Sequence, residues 1–548
     1  MNHKLLIIIP ARGNSKGILR KNIRAMSGKP LLYYSVRNAK ALAIKDKDIY
    51  VDSEDSEILF IGREVGAKII KRDKELSEDH VTLDQVIMSS LRTIEKNENK
   101  KYDFIMVLQA TCPLLKPETL HEALNFIVKN QNYDSIVSAT RFHGIVWKVS
   151  DKGIEPLFSE RNNRQYMREF FLKENGAFTI TKREAMVTEK TRFTKKIKLY
   201  EISTEEGLDI DTSLEWDVST SILKRKKILF NVVGNERVGT GHLNRILALY
   251  DHLTYAHKQV VCLRGNDLAH RFFSTYNIPT LQFESIEDLI SLAEGYDLVI
   301  NDILDTSSEY ILKLRGIGKH IVNFEDLGTG ALFADAVINE LYRPPGVIAK
   351  VNNIYWGHQY YCARTQFLCG SKKIINRDVK RILILIGGRD LANLTKKIVD
   401  AVYEYCVNNN IEVKIIVGMA YKKLASLKEY KKVFITSQAR NMAEEILDSD
   451  IVFTSFGRTL YETTIIGVPT IAIIRNRTER KHPFIDFTKG IRKIGFEPDI
   501  EKNDILKAFI ELVGNYDARK KMNKAMLDKK KELEKGIEDV IKILSTIS

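Results

Sequence analysis

Cysteine is scarce and long apolar runs are absent. The five cysteines, Cys112, Cys262, Cys362, Cys369 and Cys406, are scattered over 548 residues with no CxxC or zinc-type spacing. That argues against a disulfide framework or a cysteine-rich metal site and points to a reduced, cytoplasmic compartment. The N-terminal apolar run, Leu5 to Ile9, stops at Pro10. It is too short for a signal peptide or a membrane span and reads as a buried strand. Short-period repeats and low-complexity segments are also missing. The net charge is +14, yet the 85 Lys and Arg residues are spread along the chain among 71 acids. This pattern suits anionic small substrates better than a nucleic-acid groove, so neither nucleic acid nor membrane is expected as a partner.

What is present is an alternation of short apolar runs with helix-length amphipathic segments. Leu5–Ile9, Ile49–Val51, Phe104–Leu108 and Ser135–Val137 are separated by stretches such as Leu83–Ile94, the pattern of an α/β fold with a mainly parallel sheet. At roughly 100–200 residues per domain the length predicts three or four folding units. The pattern restarts at Ile228–Val233 after the basic run Lys224 to Lys227, whose plainer reading is a solvated helix end. Gln259–Leu263 and Leu298–Asn301 continue one set; Arg381–Ile386, Glu412–Val417, Ile451–Thr454 and Thr470–Ile474 form another. The expected organisation is therefore a Rossmann-like domain over residues 1–223 and two Rossmann-like lobes over 226–375 and 380–525. Residues 371–380 serve as a hinge and 526–548 as a C-terminal helix that packs or acts as a lid.

The most specific local signal follows the first strand: Ala11-Arg12-Gly13-Asn14-Ser15-Lys16-Gly17, then Lys21-Asn22. A Gly-containing loop at the carboxyl end of a parallel strand brings backbone N–H groups close to phosphates, and Arg12, Lys16 and Lys21 add positive charge. Further along, Asp209 and Asp211 are one residue apart, a spacing that on an extended segment turns two carboxylates the same way, as a Mg²⁺ site needs. With Val51-Asp52-Ser53-Glu54, Lys71-Arg72, Leu108-Gln109-Ala110-Thr111-Cys112-Pro113 and Asn175-Gly176-Ala177-Phe178, the series resembles the acylneuraminate cytidylyltransferases in order. The resemblance covers most of residues 4–220. It implies a nucleotidyltransferase fold that joins CTP to an acid sugar with Mg²⁺ at Asp209 and Asp211. It implies nucleotide contacts from Ala11, Arg12, Gly13, Asn14, Ser15, Lys16, Lys21, Asn22 and Arg72, with Arg12 and Lys21 catalytic. Sugar contacts would come from Gln109, Arg164, Gln165 and Asn175, and self-association through the N-terminal domain is expected. Asn14 stands where the family usually has a second Gly, and Cys112 and Leu115 replace the usual Ser and Arg of the sugar-facing turn.

In the second half, Gly239-Thr240-Gly241-His242-Leu243-Asn244-Arg245, Gly387-Gly388-Arg389-Asp390, Ser455-Phe456-Gly457-Arg458-Thr459-Leu460-Tyr461-Glu462 and Gly467-Val468-Pro469 resemble the UDP-sugar hydrolases of pseudaminic-acid biosynthesis and related spore-coat polysaccharide proteins, themselves distant relatives of two-lobed glycosyltransferases. The implied fold is a glycosyltransferase-B-like module. At a helix opening His242 feels the positive end of the dipole, which favours a neutral imidazole able to act as a general base. Ser455, Gly457 and Thr459 would receive the diphosphate of a UDP-sugar and Glu462 the ribose, with Asp302 and Tyr361 as sugar contacts. A bifunctional enzyme of nonulosonate biosynthesis is the leading expectation. The C-terminal half as a glycosyltransferase, or as a noncatalytic sugar-nucleotide sensor, stays open.

Overall fold

The computed structural model describes residues 3–547 apart from 14, 16, 79, 236–237, 255, 347–352, 388–389, 391, 420, 422, 438, 440, 478, 485–487 and 498. The chain divides into two compact units, Met1–Arg225 and Lys226–Ser548. Among the described residues no helix is long and apolar enough to cross a membrane.

The first unit is built on a seven-stranded sheet. Its order is Ile197–Ile202, Ser135–Phe142, Phe171–Lys182, Phe104–Leu108, Leu5–Pro10, Lys47–Ser53, Lys68–Lys71. All strands are parallel except Phe171–Lys182, which runs antiparallel to both neighbours. The strands Leu5–Pro10 and Phe104–Leu108 are buried on both faces, which explains why they read as continuous apolar runs. Phe171–Lys182 did not stand out in the sequence because its outer half is polar and its pairing shifts register between Glu174 and Thr179. An exposed hairpin, Trp147–Ser150 with Gly153–Pro156, was likewise not anticipated, and it carries Val149 and Ile154 at 75% and 69% exposure.

The second unit contains two doubly wound sheets. One has the order Thr280–Phe283, His257–Leu263, Lys227–Val232, Leu298–Asp302, His320–Phe324, Ala336–Asn339, Ile354–Trp356; the other runs Val433–Ser437, Glu412–Val417, Arg381–Leu385, Ile451–Ser455, Thr470–Ile474, Ile491–Phe496. Every pairing in both is parallel. Numbered along the chain, each sheet starts 3-2-1-4-5-6, so the strand order reverses beside the first strand, where ligands bind at the carboxyl ends of such sheets. In the first sheet Asn231, Asn301 and Asn323 are register partners. Asn231 donates to Asn301 Oδ1 (3.0 Å) and Asn301 to Asn323 Oδ1 (2.9 Å). This ladder satisfies three buried amides and pins the strand ends that carry the site.

Three connecting segments differ from expectation. Residues 371–380 are fastened rather than hinge-like: Lys373 pairs with Asp450 (3.0 Å), and Asp450 also accepts from Asn376 (3.0 Å) and from the Lys380 N–H (2.8 Å). The basic run is not merely solvated, because Lys226 Nζ reaches the carbonyl oxygens of Leu544 and Ile547 at the end of the last helix, where a cation offsets the orphan carbonyls. The last helix itself runs Tyr516–Thr546, starting at Tyr516 rather than 526. Its buried residues, Met522, Met526, Lys530, Leu533, Ile537, Val540 and Leu544, recur every three or four positions. It packs along the helix Thr459–Ile466 of one lobe and contacts the helix Gly241–His252 of the other.

At Gly536 this helix meets backbone directly: a Cβ there would lie 2.5 Å from the Tyr361 carbonyl oxygen and 2.8 Å from its nitrogen. Backbone cannot move aside as a side chain can. Gly536→Ala is expected to lower unfolding free energy by about 1–3 kcal/mol, read by denaturant titration; an unchanged midpoint would mean the helix does not seat as described.

Candidate functional site

In the first unit the loop after Leu5–Pro10 is tied down from several sides. The Ala11 N–H donates to Asp52 O (2.9 Å), the Gly13 N–H to Glu54 Oε1 (2.8 Å), and Asn22 Nδ2 to the Arg12 carbonyl (2.9 Å). Ser15 and Asn22 are buried and the Arg12 side chain is exposed. Asn14 and Lys16 lie outside the described residues. Gly17 is required by close approach, since a Cβ would sit 2.3 Å from the Asp211 carbonyl oxygen. That contact places the loop against the Asp209–Asp211 segment. Lys21 Nζ strengthens it by donating to Ile210 O (2.6 Å) and Asp211 Oδ1 (3.0 Å).

The two aspartates do not share an environment as the extended-segment reading expected. Asp211 is 73% exposed at its side chain and paired with Lys21. Asp209 is largely enclosed, and its Oδ1 is a buried oxygen with no hydrogen-bond partner among the described residues. Burial raises the Asp209 carboxyl above its ordinary range and the Asp211 charge adds to this, partly offset by Thr111 and Lys21. A buried carboxylate oxygen left unpartnered beside a second carboxylate is unfavourable unless a cation joins it, so this pair fits the oxygen-donor chemistry of Mg²⁺. Among the described residues no cluster of three potential ligands exists, and any such ion would complete its shell with water and phosphate.

Next to this pair lies the turn after Phe104–Leu108: the Ile210 N–H donates to Thr111 O (3.0 Å). Gln109 reaches Gly176, where a Cβ would meet its Nε2 at 2.8 Å and where φ is +71°. Asn175 is buried; its Oδ1 accepts from Ser138 Oγ (2.7 Å) and its Nδ2 has no hydrogen-bond partner among the described residues. Gln109 and Asn175 thus meet at the bulge of Phe171–Lys182. Arg164 opens the short turn Arg164–Tyr166, in which Gln165 is exposed. Arg72 departs from its expected nucleotide role: its guanidinium is buried on Asp52, with Nε at 3.0 Å from Oδ1, and lies 3.8 Å from Glu54. Charge alone cannot distinguish a phosphate-binding arginine from one paired inside the fold.

In the second unit a cleft of about 770 Å³ opens between the two lobes, within the size range of small-molecule sites. His242, Arg245, Glu325, Arg364, Ser455, Gly457, Arg458, Thr459 and Glu462 all line it. His242 is the second residue of the helix Gly241–His252. Its Nδ1 makes a short contact with Asp302 Oδ1. A carboxylate there assigns the ring proton to Nδ1 and leaves the Nε2 lone pair available. Asp302 is held in turn by Arg245, whose Nε and Nη2 each lie 2.8 Å from its two oxygens. Burial pushes the Asp302 carboxyl up, but Arg245 and His242 outweigh it and hold it well below the usual range. Arg245 Nη1 also contacts Glu325 (3.1 Å) and Glu340 (2.9 Å), and Glu340 is shared with Arg458 of the second lobe.

The expected sugar contacts are corrected here. Asp302 is fully buried and does not line the cleft; it orients His242 instead. Tyr361 is fully buried too, its ring 4.6 Å from that of Tyr461. Glu462 lines the cleft but is buried and already accepts from Arg364 Nη2 (2.7 Å), so a ribose would meet a carboxylate that is preset rather than solvated. The sequence reading assigned no role to Glu340, Arg364 or Glu325, and it named Glu54 within a motif without foreseeing its contact with the Gly13 N–H. A signal existed for two of them: Asn323 stands two residues before Glu325 and Asn339 directly before Glu340, each at the polar end of an apolar strand.

Residues 6–212 match the cytidylyltransferase family profile, and the chain belongs to the cytidylyltransferase family through this region. It is 30% identical over 227 residues to a pseudaminic acid cytidylyltransferase from Campylobacter jejuni, covering 40% of this chain and 97% of that protein. It is 33% identical over 238 residues to N-acylneuraminate cytidylyltransferase A from Danio rerio, covering 42% of this chain. The match spans only 52% of the length of that curated relative. For the second unit, MurG from Acinetobacter baumannii overlays 59% of this chain and 99% of its own at 12% identity with a TM-score of 0.43. That overlay is too loose to argue from, and the two doubly wound sheets themselves define this unit.

Removing the carboxylate that Arg245 and His242 share would leave a buried guanidinium short of a partner. Asp302→Asn is expected to lower unfolding free energy at neutral pH by about 3–5 kcal/mol. Because the folded carboxyl is depressed, its contribution is present above the unfolded value of about 3.9 and is lost as pH falls toward the folded one. The wild type should therefore lose more stability than Asp302→Asn on acidification below that point, as measured by urea unfolding across pH.

Proposed function

We propose that the first unit transfers CMP from CTP to an acid sugar of the sialic or pseudaminic type. The observation that carries this is the near-complete coverage of the Campylobacter jejuni pseudaminic acid cytidylyltransferase by residues of this unit. The loop Ala11–Gly17 and Lys21 hold the triphosphate, and Gln109 and Asn175 orient the sugar. The anomeric hydroxyl oxygen bonds to the α-phosphorus and gives up its proton to solvent as the bond to the bridging oxygen breaks and pyrophosphate leaves. Mg²⁺, held by Asp209 and Asp211, would neutralise phosphate charge when bound. Lys21 keeps Asp211 at the loop, so the carboxylates and the phosphate cradle form one constellation. Replacing Asp209 and Asp211 together by Asn removes that charge with little change of shape. Pyrophosphate release from CTP and a nine-carbon acid sugar is expected to fall by at least about 10²-fold; undiminished release would take both residues out of the reaction.

For the second unit we propose a UDP-sugar hydrolase with His242 as general base, supported by the placing of His242 on the cleft wall with the buried Asp302 behind it. A water oxygen bonds to C1 of the sugar, its proton passes to His242 Nε2, and the C1–oxygen bond breaks with UDP leaving. The amides around Gly457 and Thr459 and the side chain of Arg458 receive the diphosphate. His242→Asn should keep UDP affinity but slow hydrolysis by roughly 10²–10⁴-fold, followed by UDP release from a panel of UDP-sugars without acceptor. Hydrolysis at the wild-type rate in that variant sinks the base assignment. Release only when an acceptor sugar is added would favour a glycosyltransferase, and tight binding without turnover a sensor.

A further inference from the structure

One carboxyl group on the cleft wall has no part in the hydrolysis scheme. Glu325 follows the strand His320–Phe324 with φ at +50°, a left-handed conformation that a residue with a long side chain seldom adopts. Such strain persists where surrounding contacts over-determine it, and it gathers at functional sites. Here the fixing contacts all fall on one oxygen. Glu325 Oε1 accepts from the backbone N–H of Glu340 (2.8 Å), from that of Leu341 (2.9 Å) and from Arg245 Nη1 (3.1 Å). The other oxygen, Oε2, is buried and has no hydrogen-bond partner among the described residues, although the residue is only 5% exposed and lines the cleft with His242, Gly457 and Arg458.

A well-held carboxyl group with one saturated and one vacant oxygen is unfavourable as it stands, since a buried polar atom without a partner is destabilising. The three donors hold the carboxyl group in place, so one of its oxygens is always left outside them. A ligand in the cleft can supply the missing bond. We propose that Glu325 is a sugar-contacting residue whose Oε2 completes its hydrogen bonding with a hydroxyl or carbonyl oxygen on the sugar portion of a nucleotide sugar.

This rests on the reading of the cleft as a UDP-sugar site. The contact discriminates the sugar, because the diphosphate-binding groups lie on Gly457, Arg458 and Thr459 of the other lobe. Burial favours the neutral acid, and the Asp302 charge adds to this, against the pull of Arg245, the Leu341 N–H and His242. The other ionisable groups that feel Glu325 are Tyr342, Tyr461, Cys362 and Arg458, with Glu340 at the shared guanidinium of Arg245. In the neutral form Oε2–H donates to the sugar oxygen. Ionisation removes that donor and brings an uncompensated charge to the cleft wall, so affinity for the sugar portion falls as pH rises through the raised value.

Glutamine separates this role from a structural one. Its carbonyl oxygen can keep the three bonds of Oε1 and its amide can donate where Oε2–H did, without titrating. The experiment is calorimetric binding of UDP and of a panel of UDP-hexoses and UDP-N-acetylhexosamines to the full chain in a His242→Asn background, which keeps UDP affinity without turning the sugar over, with position 325 wild type, Glu325→Gln or Glu325→Leu, from pH 5.5 to 9. For the best UDP-sugar, the form that keeps Glu325 is expected to bind more tightly than UDP by a margin that shrinks as pH rises. Glu325→Gln keeps the margin with its pH dependence flattened. Glu325→Leu loses about tenfold of the margin while UDP affinity stays within a few-fold, which also reports that its cleft is intact. An unchanged pH dependence in Glu325→Gln, or equal loss of UDP and UDP-sugar binding in both variants, overturns the assignment. A Glu325 form that binds UDP but shows no sugar margin overturns it while leaving the nucleotide site standing, and one that binds neither overturns the cleft reading with it.

Discussion

A guanidinium cannot be left unpaired in a protein interior, and the second unit is arranged around that constraint at Arg245. The residue stands on the helix that also carries His242, and it gathers Asp302, Glu325 and Glu340 from the ends of three successive parallel strands. Each acid is then engaged a second time. Asp302 sets the tautomer of His242, Glu325 holds the backbone at Glu340 and Leu341, and Glu340 passes to Arg458 across the cleft. One buried cation thereby fixes the imidazole, the cleft wall and the junction between lobes. Such a cluster contributes little net stability over an apolar core, but breaking one member is severe, and what it supplies is geometry.

The asparagine ladder beneath it has a complementary function. In a parallel sheet successive side chains alternate between faces, so a row of Asn at one register level lets the next residue of a strand project its carboxyl group toward the helix side. Asn301 with Asp302 shows this directly, and the left-handed turn at Glu325 recovers the same direction where an extra residue, Phe324, intervenes. Strain at Glu325 is thus the local consequence of placing three acidic side chains around a single guanidinium.

The first unit braces its motif loop in a different way. The loop after Leu5–Pro10 is held by a carboxylate, with Glu54 on the Gly13 N–H, and Lys21 is paired with Asp211. These internal partners hold the cationic and donor groups of the loop in fixed orientations, which is what preorganisation of an electrostatic site requires. Asp209 Oδ1, with no hydrogen-bond partner among the described residues, is the one carboxylate oxygen of that pair which the arrangement buries unsatisfied.

Strands buried on both faces, such as Leu5–Pro10 and Ile451–Ser455, were legible because continuous apolar runs bounded by Gly or Pro leave few alternatives. The restart of the pattern near residue 226 and the motif loops at Gly13, His242 and Gly457 were legible because tight turns after strands require particular residues. The sequence alone therefore determined the α/β class, the two-unit order and the places of the motif loops at the ends of strands. It could not decide which charged side chain serves a ligand and which serves another side chain. Arg72 and Arg12 look alike in one dimension, yet one is buried on Asp52 and the other is exposed at the loop. Asp302 looked like a sugar contact and is the partner of His242, while Glu325 stood out little and lines the cleft. The physical reason is that pairing depends on distances between residues tens of positions apart, 57 between Arg245 and Asp302 and 118 between Arg458 and Glu340. Only folding sets those distances.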